Sequence, residues 1–292
     1  MDLPAFAPAA IGPPATVRSA SLSILPITLI VLARNEAATL AQCLDSVPFA
    51  ADKLVVDCGS TDATCRIAAA HGARVVTQQW LGFGPQRNFA TSHARHDWIL
   101  TLDADEELTR ELTSELCARL PSFMQSEAAG AILCRSTLYM GKPMRWYRPM
   151  KAERIARIYH RGRARWTDAR VHEALRFHGP VEIFRRPFIH HHNPTLVHKH
   201  LKMLRYTELK THDWLERGKP APLWTCPFIF VAIFLKDYLL RLAFLDGARG
   251  YIVAQIAATQ AVYRRLRYFE MQQNPPSREL AHKLLQQYGI EP

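Results

Sequence analysis

The sequence predicts an α/β fold on a mostly parallel sheet with flanking helices, and three observations carry that expectation. Short, continuous apolar runs recur through the first hundred positions: "ITLIVL" (27–32), "KLVVD" (53–57), "ARVVT" (73–77) and "WILTL" (98–102). Helix-like stretches separate them at 36–47, 62–71 and 85–92. Strands of this kind are buried on both faces, as a parallel sheet between helical layers requires. Third, three of the runs end on polar clusters: "ARNE" (33–36), Asp57 leading into "CGSTD", and the acids of 103–107. The carboxyl ends of strands in an open α/β sheet form the rim where ligands collect.

The chain has 292 residues, 48% of them hydrophobic and 22% charged. That is globular material for one large domain or a domain with an appendage. Six cysteines without a CxxC pair suit a reduced, cytosolic setting. The first 22 residues carry four prolines, lack the basic-then-apolar order of a signal peptide and read as a disordered leader. The net charge of +11 is concentrated: residues 145–170 hold nine Lys/Arg against two acids. Such a window implies an anionic partner (nucleic acid, phospholipid or a phosphorylated substrate) or else a solvated basic face.

The rim would gather Asn35, Glu36, Asp57, Asp103 and Asp105. The turn after the first strand has no glycine, so neither GxGxxG nor GxxxxGK[ST] is present to cradle a diphosphate. A hard divalent cation on carboxylates is the other device that grips phosphate oxygens. Asp103 and Asp105 form a D-x-D at a strand end, where alternate side chains share a face. Asp62 reads as a helix cap, and Glu106 and Glu107 as the acidic start of a helix from Leu108 onward.

In the basic window, arginines suit phosphate, and Trp146, Tyr147 and Trp166 suit sugar faces. The interleaving also suits nucleic acid, but no nucleic-acid motif accompanies it and none is expected as a partner. "HHHN" (190–193) reads as a surface or acceptor-side feature, since three consecutive histidines on a strand cannot face one ion. From His198 the chain turns helical. "APLWTCPFIFVAIFL" (221–235) is short for a membrane span and suits an interfacial or re-entrant segment. Beyond Gly250, Ile252, Ile256, Tyr263 and Leu266 share a helical face with Arg264, Arg265 and Arg267 nearby. That pattern fits a helix on anionic lipid or one packed on the main domain.

Taken together, "ITLIVLARNEAATLAQCLDSV", "LVVDCGSTDATCRIAAAHGARVV", "GFGPQRNFA" and "WILTLDADEEL" resemble the nucleotide-binding half of glycosyltransferase family 2. The likeness is to bacterial lipopolysaccharide core β-1,4-glucosyltransferases, and it continues through "RIYHRGRARWTDARVHEAL" into "FLDGARGYIVA". It implies a GT-A fold and inverting transfer of a sugar, glucose above all, from a nucleotide-diphosphate donor such as a UDP-sugar. The acceptor implied is a lipid-anchored inner-core saccharide, with polyprenyl-phosphate or capsule glycans as the alternative. The same likeness implies that Ala33, Arg34, Asn35 and Glu36 contact the nucleoside, that Asp57 accepts from the base and that Arg87 lies along the nucleotide. Asp103 falls by ribose and metal, and Asp105 is the main ligand of Mg²⁺ or Mn²⁺. Many members carry an aspartate pair where this chain has Asp57–Cys58, and an "ED" base motif that this chain lacks. Glu173 in "VHEAL" is therefore the candidate general base, Asp168 its runner-up, and His172 a candidate for metal or diphosphate. The expected organisation is a nucleotide-sugar half (23–120), an acceptor-binding and catalytic part (121–197), a helical membrane-associating region (198–272) and a polar tail (273–292). The expected place is peripheral, on the cytoplasmic face of the inner membrane.

Overall fold

The computed structural model describes residues 23–147, 149, 153–168, 173–191 and 195–287. The expected leader and His172 lie outside the described residues. Strands β1 (Leu25–Ala33), β2 (Ala50–Asp57), β3 (Arg74–Thr77) and β4 (Trp98–Asp103) run parallel in the order β3-β2-β1-β4. Helices α1 (Leu40–Asp45), α2 (Thr64–Ala70) and α3 (Phe83–Ser92) connect them. Leu29, Val31 and Leu100 enter one buried cluster, and Ile30, Leu54 and Ile99 enter another. The sheet is thus covered on both faces, which is why its strands are apolar without alternation. α1 is shorter than the sequence suggests. The amides of Glu36 and Ala37 are taken by Thr64 Oγ1 (2.8 Å) and Asp62 Oδ2 (3.2 Å), so the first turn is spent on a neighbouring loop.

After β4 the chain departs from the expected helix start. Glu106–Leu108 is a short strand, β5, and helix α4 (Arg110–Met124) begins only after Thr109, whose Oγ1 accepts from the Leu112 amide at 3.2 Å. Then follow β6 (Gly130–Tyr139), β7 (Lys142–Pro143), β8 (Glu153–His160), β9 (Ala164–Trp166), β10 (Leu175–Phe177) and β11 (Val181–His190). The sheet continues β4-β8-β6-β11-β5, with β8 antiparallel to both neighbours and β6 parallel to β11. β7 folds back on β6, and β9 and β10 make a separate ribbon. The parallel half is as expected; the second half is mixed. Register sets Ala33 beside Asp57, Leu32 beside Asp103, Arg135 beside Glu153 and His190 beside Thr137. The carboxyl ends of β1, β2, β4, β6 and β11 and the start of β8 therefore share one rim.

The C-terminal helices are α5 (Leu196–Glu216), α6 (Cys226–Leu235), α7 (Ala248–Gln273) and α8 (Ser277–Gln287). α5 and α7 pack together through Arg267, which is buried and bonds Glu208 at 2.7 and 3.2 Å and Ser277 at 3.1 Å. Arg264 and Arg265 lie over the Trp214 ring. α7 is thus packed on α5, and its Arg264, Arg265 and Arg267 all make contacts within the chain. α6 is different. It runs on as a π-helical turn through Lys236–Leu240, so the apolar helix extends past the charges expected to stop it. The stretch Leu223–Leu240 is long and apolar enough, by length and composition alone, to cross a membrane. Trp224, Phe228, Val231, Leu235 and Leu239 are exposed along it at helical spacing.

Candidate active site

One edge of the rim is made by two loops stitched together. Ala33 is buried at the end of β1, while Arg34 and Asn35 beyond it are exposed. Asn35 takes φ 56°, a left-handed conformation that asparagine tolerates. Its Oδ1 accepts from the Thr61 amide at 2.8 Å, and its own amide donates to Ser60 Oγ at 2.9 Å. Asp57 is buried and accepts from the amides of Gly59 and Ser60, each at 3.0 Å. Desolvation works to raise its pKa, and the hydrogen bonds from Ser60 and Gly59 outweigh it and bring the pKa below the ordinary value.

The acids of 103–107 are sorted by partner. Asp103 Oδ1 accepts from Arg87 at 2.8 Å and Oδ2 from Arg157 at 3.0 Å. Arg157 also reaches Glu106 at 2.5 Å and lies over the Phe188 ring. Desolvation pushes the Asp103 pKa up, but the guanidinium groups of Arg157 and Arg87 win and hold it well below the carboxylate range. Burial raises the pKa of Glu106 against the pull of Arg157. Burial likewise opposes the charge on Arg157, yet Asp103 and Glu106 hold its pKa above the ordinary guanidinium value. Glu106 is thus the internal partner of a buried arginine, not the first acid of a helix. Glu107 accepts from Gln42 and pairs with His191 Nε2 at 3.0 Å. Asp105 Oδ2 lies 3.2 Å from His190 Nε2.

Arg87 joins this cluster to the far part of the chain. Its Nη1 donates to Thr101 Oγ1 at 2.8 Å, its guanidinium stacks over Trp166, and its Nε is 3.5 Å from Glu173 Oε1. Asp103 and Glu173, seventy positions apart, thus meet on one side chain. Asp168 is exposed and lies 3.5 Å from Asn88 Nδ2, one residue along α3 from Arg87.

Three sequence expectations are corrected here. Of the "HHHN" run, His190 and His191 are half-buried and not an open surface, because the end of β11 pairs them with Asp105 and Glu107; His192 and Asn193 lie outside the described residues. The basic window is not one acceptor surface either: Arg157 is an internal counter-ion, and Arg161 and Arg163 pair with Asp97 and Glu127 at the opposite edge of the sheet. Of the three aromatics, Tyr147 and Trp166 are core residues and Trp146 alone is exposed. Sequence reading also missed Arg157 and His190 as site residues. The signal for His190 was its place at the end of a strand that reaches the rim. Arg157 gave none, since nothing local separates it from its neighbouring arginines. Among the described residues, no group of three or more His, Cys, Asp or Glu side chains converges as a metal cage.

The chain is similar to an uncharacterized glycosyltransferase of Rickettsia prowazekii, 28% identical over 80% of this chain and 82% of that protein. It is similar to the lipopolysaccharide core biosynthesis glycosyltransferase LpsC of Rhizobium meliloti, 28% identical over 82% of this chain and 93% of that one. A partial likeness joins it to the solved glucosyl-3-phosphoglycerate synthase of Mycobacterium tuberculosis, 26% identical with a TM-score of 0.31 over 39% of this chain and 43% of the other. The glycosyl transferase family 2 model matches residues 28–188, from the first strand to the end of the rim. With more than half its length in that match, the chain belongs to glycosyl transferase family 2.

Proposed function

We propose that this family 2 glycosyltransferase inverts configuration while moving a sugar, glucose by expectation, from a UDP-sugar to the lipid-anchored, phosphorylated inner core of lipopolysaccharide. The observation that carries the reading is the Arg87 bridge, which sets Glu173 beside Asp103. A base on the acceptor side and a donor site at the strand ends are what such a transfer needs. The similarity to LpsC supports the acceptor class.

In this reading the 33–36 turn and Asp57 hold the nucleoside, and Arg87 and Asp103 flank it. Glu173 takes the proton of the acceptor hydroxyl as that oxygen attacks the anomeric carbon and the bond to the diphosphate breaks. Asp105 and His190 suit a hard divalent ion such as Mg²⁺ or Mn²⁺. One carboxylate and one imidazole at a partly exposed edge leave other positions to phosphate oxygens and water. When bound there, the ion would neutralise charge on the departing diphosphate. Asp103, with each oxygen on a guanidinium, is better placed to order that edge than to act as the main ligand.

The exposed face of α6 supports peripheral attachment to the cytoplasmic side of an anionic inner membrane, and the net charge of +11 suits such a surface.

The test is donor turnover across a set of nucleotide sugars, with and without EDTA, followed by single-turnover transfer in Glu173→Gln and Asp168→Asn. Glu173→Gln should lower transfer about 10²–10⁴-fold with donor affinity nearly kept. Collapse in Asp168→Asn with normal Glu173→Gln would move the role to Asp168. No turnover of any nucleotide sugar would refute the function itself.

A further inference from the structure

The segment "FLDGARG" (244–250) lies outside the site just described, yet it grips a loop that rises from the same rim. Residues 140–147 follow the end of β6, a strand that pairs with the start of β8 at the rim through Arg135 opposite Glu153. Asp246 Oδ1 accepts from the Arg145 amide at 2.9 Å, and Oδ2 accepts from the amides of Trp146 (3.1 Å) and Tyr147 (2.7 Å). One carboxylate thus captures three consecutive main-chain N–H groups, each a charge-assisted bond. Below it, Tyr139, Met144 and Tyr147 form a buried cluster with Ala243 and Val253. Tyr147 Oη donates to Asp237, and Arg241 closes that corner at 2.8 Å. Burial, with Asp237 beside it, pushes the Tyr147 pKa up to about 12, so the phenol stays a donor.

The gripping segment is itself tightly determined. Leu242 and Gly247 both take φ 63°. A Cβ on Gly250 would stand 1.7 Å from the Ala243 carbonyl oxygen, so only glycine lets α7 begin so close to that turn. The clasp consumes backbone groups only. The side chains of Arg145 and Trp146 are left in solvent, Trp146 half exposed (50%). Phe244 and Leu245, next to Asp246, are exposed in turn and continue the apolar surface of α6. A cation and an aromatic ring are therefore fixed where the rim loop meets the apolar surface.

We propose that Arg145 and Trp146 form a binding site for the phosphorylated sugar of the acceptor, at the point where its lipid leaves the bilayer. Asp246 is the positioning residue that holds the pair there. The inference rests on the acceptor class proposed above. The guanidinium takes phosphate, the indole takes a sugar face, and the clasp spares both the ordering cost of a mobile loop.

The experiment is steady-state transfer to a phosphorylated core oligosaccharide presented lipid-linked in vesicles, delipidated, and delipidated then dephosphorylated. Arg145→Gln and Trp146→Ala remove only exposed side chains. Each should raise the KM for the phosphorylated acceptor about 3–10-fold, the scale of one such contact, with the donor dissociation constant unmoved. The Arg145→Gln effect should vanish on the dephosphorylated acceptor. Asp246→Asn should raise the acceptor KM at least as far, and adding Trp146→Ala to it should cost less than Trp146→Ala alone, since Asp246 already acts in part through that ring. An unchanged acceptor KM in both exposed variants overturns the proposal, whether or not Asp246→Asn folds. Full multiplicativity of Asp246→Asn with Trp146→Ala overturns the positioning role. If the variants weaken vesicle pelleting but leave the KM of the delipidated acceptor alone, the pair serves the bilayer and the proposal fails. A wild-type chain that turns over no donor defeats the functional reading instead, a result distinct from all of these.

Discussion

The sheet half and the C-terminal helices answer the same problem, how to satisfy costly groups, in opposite ways. Around the rim, charge is closed inward: Asp103, Glu106, Arg87 and Arg157 neutralise one another within the chain. In α6 the costly groups are apolar and are left open, with Trp224 73% and Phe228 69% exposed. A buried charge without a partner is costly inside the chain, whereas an exposed apolar face costs little once something outside covers it. The first region therefore balances its charges within the chain, and the second leaves an apolar face open.

That contrast can be broken at three points. The largest effect is expected at Arg157→Met, which leaves Glu106 buried and Asp103 with one guanidinium. Chemical unfolding should show a loss of about 3–5 kcal/mol, the usual result of removing one member of a buried ion pair. A loss below about 1 kcal/mol would mean that the internal charge network is not closed as described. A middle effect is expected at Gly250→Ala, because the added methyl meets backbone at 1.7 Å. Thermal unfolding should report about 1–3 kcal/mol of destabilisation, and limited proteolysis should find new cuts near 140–147. Protection of that loop in the variant would uncouple it from the helices. The smallest effect on stability belongs to Phe228→Ser. On an exposed face it should change folding free energy by no more than about 0.5 kcal/mol. Pelleting with anionic vesicles should nevertheless weaken about tenfold or more, as expected for one aromatic side chain leaving an apolar phase. A stability loss comparable to that of Gly250→Ala would show that Phe228 is core, and the contrast would fall.

The two regions also differ in how far sequence alone reveals them. The parallel strands were open to reading because burial on both faces writes itself as continuous apolar runs, and the rim acids followed from strand direction. The partners of those acids were not. Arg157 comes from a strand inserted antiparallel between β4 and β6, a pairing that no local pattern announces. Glu106 looked like a helix-start acid because the periodicity of α4 begins close behind it, and only the Thr109 cap shows where the helix truly starts. In the helical region the error ran the other way. Lys236 and Asp237 looked like stops, but Asp237 is absorbed by Arg241 and Tyr147, so the helix continues through them.

The buried guanidinium of Arg157 carries one more consequence. Acid clusters that await a divalent ion commonly repel themselves apart until the ion arrives, and such domains lose structure in chelators. Here the counter-charge is part of the polypeptide, supplied from β8 during folding. The order of this edge therefore draws on charges that the chain itself carries, and its folded shape should be indifferent to chelators.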